Sequence, residues 1–228
     1  MLRHRRDGFL TRPMRCIPAN RLQHRGFGRR ASLAGRGCSR LNLRRKSIIH
    51  TFITLSKAFS LSCMIRTETT ADHAAIHALT EAAFREAPHS SHTEQFIVDA
   101  LRARGELSIS LVAETQGQVV GHIALSPVTI SDGSTGWFGL GPISVLPAWQ
   151  GQGIGAALMH AALEALRQQG AHGCVLLGEP AYYGRFGFRA EPGLVLPGVP
   201  AEYFQALCLQ LPVAQGEVQY SPAFEATA

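Results

Sequence analysis

At 228 residues the chain has room for one domain with an extension, or for two small domains. Its net charge of +6 hides a segregation: residues 1–63 hold fifteen of the 22 Lys and Arg and a single acid, Asp7, whereas residues 64–228 hold seven arginines and fifteen acids. The pI of about 9.4 therefore belongs to the first segment, and a nucleic-acid partner could act only through it.

In chain order, residues 1–46 are rich in Arg and Gly, lack apolar periodicity and cannot bury enough surface to fold alone. Residues 47–62, SIIHTFITLSKAFSLS, are apolar but carry His50 and Lys57 and are too short to cross a membrane. A basic stretch before an apolar one has the outline of a signal peptide, though no A-x-A pattern follows. An acid-poor, Arg- and Ser-rich start has that of an organellar transit peptide. A third reading makes Met64 the true start, because an ordered pattern begins there at once. The expected division is a basic, disordered extension over 1–63 and one domain over 64–228.

Met64–Thr67 reads as a strand, followed by a helix capped by Thr70 and running to Phe84, its inner face Ala75, Ile76, Leu79, Ala83 and Phe84. A polar loop, Arg85–His92, precedes a second helix from Thr93 to Arg104 with Phe96, Ile97, Ala100 and Leu101 inward. Ser108–Glu114 and Val119–Ile130 form a hairpin about Gly117, and a turn at Asp132-Gly133 leads to a strand from Trp137 to Leu146. A helix to Gln169, a buried parallel strand Gly173–Leu177, a short helix and turn at Ala181–Phe188, and strands at Tyr203–Leu211 and Val218–Ala223 complete the pattern. The fold class is α/β, a mixed sheet with helices on both faces. Five cysteines with no C-x-x-C pair argue against disulfides and zinc and suit a reducing, cytoplasmic setting.

Between the Trp137 strand and the next helix lies Gln150-Gly151-Gln152-Gly153-Ile154-Gly155. Its glycines clear the backbone for a ligand, and the following helix opens with free N–H groups and the positive end of its dipole, a built site for phosphate oxygens. Ala156-Ala157 follow where a P-loop needs Lys-Ser/Thr, and Leu158 stands where a dinucleotide fingerprint needs its third glycine. Pro142 lies inside an apparently central strand, which calls for a bulge that Gly139 and Gly141 make easy. A strand splayed there leaves Ile143, Ser144 and Val145 with unpaired backbone groups.

The loop behind I-x-V-x-P resembles the acyl-coenzyme A diphosphate loop of the GNAT N-acetyltransferases. A second landmark, Tyr183-Gly184-Arg185-Phe186-Gly187-Phe188, stands one helix and one strand later, as in that family. The run LGEPAYYGRFGF resembles the YhbS-like bacterial subgroup. The resemblance covers residues 64–228 and departs at Gln150, where many relatives have Arg, so one cation is missing from the phosphate site. It implies the GNAT acyl-CoA N-acyltransferase fold and acetyl-CoA as co-substrate, with no metal. Ile143, Ser144 and Val145 would bind pantetheine; Gln150, Gly151, Gln152, Gly153, Ile154, Gly155 and Ala156 would bind the diphosphate; Tyr183 would lie near the sulfur as hydrogen-bond donor or general acid.

The implied reaction moves an acetyl group directly to a primary amine of a small molecule or protein. An alkyl ammonium of pKa ~10.4 must first lose its proton, which costs roughly 4–5 kcal/mol at neutral pH. Glu179, Glu114 and His122 are candidate acceptors of that proton. A covalent route lacks a G-x-S-x-G elbow and a His partner for Cys174. The alternative is a non-catalytic acyl-CoA-binding module, which Tyr183→Phe would distinguish. The acidic domain suits a cationic acceptor, and the strand-like C-terminus could pair two subunits.

Overall fold

The computed structural model describes residues 63–87 and 90–227, so the expectations for residues 1–62 lie outside the described residues. Strand β1 is Met64–Thr67, and a 3-10 turn, Thr70–Asp72, leads into α1, His73–Phe84. The cap falls one residue before the expected Thr70: Thr69 N–H donates to Asp72 Oδ2 at 2.7 Å in a capping box. Along α1, Ile76 and Leu79 face inward as expected, joined by Thr80, whereas Ala75 is exposed. Helix α2, Glu94–Ala103, buries Gln95, Ile97, Val98 and Leu101, while Phe96 is half-buried against His77.

The expected hairpin forms from β2, Ile109–Thr115, and β3, Gln118–Pro127. It does not continue unbroken to Ile130. Thr129–Ile130 is a separate strand, β4, drawn off the main sheet because Ile130 packs with Val218, Trp137 and Val175 in a second apolar cluster. Strand β5, Trp137–Val145, returns antiparallel to β3. Helix α3, Ile154–Gln168, crosses to β6, Gly173–Leu177, which is parallel to β5. There follow α4, Pro180–Tyr183, a 3-10 turn Gly184–Phe186, β7 (Leu194–Val195), β8 (Phe204–Cys208) and β9 (Gly216–Gln219). The expected strand Val218–Ala223 stops at Gln219. Pro222 has no N–H for a ladder and opens a 3-10 turn capped by Ser221 Oγ, which accepts from Ala223 N–H at 3.0 Å.

The main sheet runs β1-β2-β3-β5-β6-β8 and is antiparallel except at β5–β6; β4-β9-β7 form a small second sheet. Packed on one face, α3 presses close to β3: a Cβ on Gly121 would come within 3.0 Å of Leu158 Cδ1. The opposite face carries α1 and α2 and the clusters of Ile76, Val98 and Val112 and of Ile97, Leu101 and Ala223.

Candidate active site

Strand β5 changes register against β3 at Gly141-Pro142, for Ile143 faces Ile123 and Leu140 faces Leu125, one residue more on β5 than on β3. This is the bulge that Pro142 demands. Gly139 serves a different purpose: the Tyr220 ring occupies the space its side chain would need. Strand β6 accompanies β5 only from Trp137 to Gly139, and beyond that the two part. Leu146 N–H donates to Val120 O at 2.9 Å. Alternation along β5 therefore turns the backbone groups of Ser144 toward β3, and those of Ile143 and Val145 toward the gap.

After β5 a 3-10 turn, Pro147–Trp149, leads into the glycine loop. Gly151 and Gly153 adopt φ of 73° and 84°, a left-handed conformation that side chains disfavour. Gly155 is small for another reason, since a Cβ there would lie 3.0 Å from the Tyr182 hydroxyl. Gly153 caps α3 with no side-chain bond, and its carbonyl accepts the first helical bond, from Ala157 N–H at 3.0 Å. The N–H groups of Ile154, Gly155 and Ala156 thus have no helical acceptor. The side chains of Gln150 and Gln152 brace the loop, donating to Val145 O at 3.0 Å and Ala148 O at 3.2 Å.

Gap, loop and α4 enclose a cavity of about 870 Å³. Ile143, Val145, Gln150, Gly151, Gly153, Ile154, Gly155, Ala156 and Tyr183 all border it, and Gln152 and Ser144 do not. Ser144 is buried on the other face, its hydroxyl donating to Thr80 Oγ1 at 3.3 Å. Trp149, Gly178, Glu179, Tyr182 and Arg185 also line the cavity. The last two were legible as neighbours of Tyr183 on one turn, but only the packing shows which way they face.

The Tyr183 ring stacks edge-on to Tyr182 at 4.9 Å and fills the space that a side chain on Gly178 would take. Burial, and then the neighbouring Tyr182, push its phenol up to about 12. Of the candidate proton acceptors, Glu179 borders the cavity beside α4. Glu114 accepts from Arg66 Nε at 2.8 Å at the far edge of the sheet. His122 is fully buried, and desolvation first, with Arg102 opposing the pull of Glu68, lowers it to about 4, so it is neutral at pH 7. Among the described residues no group of three or more His, Cys, Asp and Glu side chains could hold a metal ion, and no helix is long and apolar enough to cross a membrane.

Residues 69–188 match the model of the acetyltransferase (GNAT) family. The chain belongs to that family. Within it, this GNAT chain is 37% identical over 126 residues to the uncharacterised N-acetyltransferase YhbS of Escherichia coli (strain K12), covering 55% of this chain and 72% of YhbS. A GNAT family acetyltransferase from Brucella melitensis, solved in complex with acetyl-CoA, is 51% identical with a TM-score of 0.65, covering 72% of this chain and 99% of that one. Escherichia coli YhbS solved with CoA gives 33% identity and a TM-score of 0.66 over 74% of this chain and 95% of its own. The likeness places the chain in the YhbS-like subgroup of GNAT acyltransferases, with the mixed α/β sheet expected.

Proposed function

We propose that this chain is an N-acetyltransferase that carries the acetyl group of acetyl-CoA directly to a primary amine of a small molecule or protein in the cytoplasm. One observation carries the proposal: the gap-facing backbone of β5, the open N-terminus of α3 and Tyr183 all face a single cavity. Two structurally similar acetyltransferases were solved with acetyl-CoA or CoA bound. Here the N–H groups of Ile154, Gly155 and Ala156 would receive diphosphate oxygens, and Ile143 and Val145 would pair with the pantetheine amides.

Tyr183 then serves the departing sulfur. Its phenol at about 12 remains protonated, and passing the proton fully to a thiolate of ordinary pKa ~8.5 is uphill by roughly 5 kcal/mol. Tyr183 therefore acts as a hydrogen-bond donor to the developing thiolate. Glu179 is the carboxylate on the cavity and takes the amine's proton, directly or through water. The test is a thiol-release assay with acetyl-CoA against a panel of amines, repeated on Tyr183→Phe. We expect release with at least one amine and a kcat lower by about 10²–10⁴ in the variant, with coenzyme affinity retained. An unchanged kcat would remove Tyr183 from the mechanism.

A further inference from the structure

We propose that Arg185 grips a phosphate of the co-substrate and supplies the positive charge that the glycine loop lacks, an inference that rests on the acetyl-CoA reading of the cavity. Residues 64–228 contain seven arginines and no lysine. Six of them, Arg66, Arg85, Arg102, Arg104, Arg167 and Arg189, are ion-paired with carboxylates. Arg185 makes no ion pair among the described residues, and it is the arginine that borders the cavity.

Its position is built from local packing. The guanidinium carbon lies 4.1 Å from the Tyr182 ring centroid and 4.9 Å from that of Phe186. Tyr182 in turn rests its hydroxyl against Gly155 in the first turn of α3, and Phe186 meets His160 edge-on at 5.3 Å farther along the helix. The stack therefore holds Arg185 beside the turn whose free N–H groups open into the same cavity. A guanidinium lying on an aromatic face keeps its N–H edges available, and those edges match phosphate oxygens in pairs. Gln150, the loop residue nearest in role, has its amide engaged with Val145 O and carries no charge. Glu179 also lines the cavity, so a bound diphosphate gains from a full cation there, and Arg185 is placed to provide it.

The coenzyme carries phosphate in two places, the diphosphate and the ribose 3′-phosphate, and one titration series separates them. The full chain, Arg185→Gln and Arg185→Lys are each titrated calorimetrically with CoA and with 3′-dephospho-CoA. Arg185→Gln should bind CoA about 10- to 100-fold more weakly, and Arg185→Lys, which keeps the charge but not the paired N–H edges, should recover part of that loss. A similar loss with both ligands supports contact with the diphosphate, and a loss confined to CoA supports contact with the 3′-phosphate. Unchanged CoA affinity in Arg185→Gln overturns the inference and leaves the acetyltransferase reading intact. An equal loss in the Gln and Lys variants also overturns it, by assigning the effect to packing on Tyr182. Absence of CoA binding by the unaltered chain would instead defeat the acetyl-CoA reading itself.

Discussion

On the α3 side of the main sheet, Ile123, Leu125 and Leu140 meet Leu158, Met159, Leu163 and Leu166 in a cluster of apolar side chains. On the α1–α2 side the same sheet partly buries a chain of charged and polar groups. Glu68 accepts from Arg102 Nε at 2.8 Å, from Arg102 Nη2 at 3.0 Å and from Ser110 Oγ. Ser110 Oγ lies 2.8 Å from His122 Nε2. Because the Ser110 proton goes to Glu68, His122 donates from Nε2, and its Nδ1 is buried without a partner among the described residues. Helix α3 starts at the glycine loop, so that loop rests on an apolar cluster. The α1–α2 side, tied by ionisable groups, answers to pH.

The largest effect expected from that contrast is at Leu158. Leu158→Ala empties a fully buried site under the loop and should lower unfolding free energy in urea by about 4 kcal/mol, shifting the stability curve equally at every pH. A loss below about 1 kcal/mol would show that α3 is held by something else. Next comes acid. In the unfolded chain His122 takes a proton near its ordinary value of ~6.5, while in the folded chain burial delays this to about 4. The unfolded state binds more protons in that window, so stability should fall by up to about 3 kcal/mol as pH drops from about 6.5 to about 4. His122→Gln should flatten that slope; an unaltered slope would place the titrating group elsewhere. The smallest of the three is Arg102→Met, expected to cost about 2 kcal/mol at pH 7 by leaving Glu68 short of its charge-assisted bonds. A double-mutant cycle with Glu68→Gln measures that coupling, and a value near zero would reduce the network to ordinary surface pairing.

Much of the candidate site is legible in the sequence. The run Gln150–Gly155 announces itself because its backbone shape is local, and the bulge at Gly141-Pro142 follows from a missing N–H. Other features were out of reach. Ser144 sits between Ile143 and Val145 in the chain, yet strand alternation turns it to Thr80 on the opposite face. Glu114 and Glu179 are equivalent by residue type, and it is Arg66, from a strand distant in sequence, that holds Glu114. His122, a candidate proton acceptor by residue type, is weakened as a base by burial that the sequence does not show. Tyr182 shares the cavity with Tyr183 and supports Arg185, an arrangement that only packing reveals.

Residue order alone determined the glycine turn and, to within a residue or two, the helix starts and the strands of the main sheet, because each depends on dihedral preferences and apolar period within a few neighbours. Which carboxylate is free, which tyrosine faces which wall, and which arginine lacks a partner were decided only when distant segments met. Burial and pairing are properties of those meetings, and they set charge and protonation as much as the residue type does.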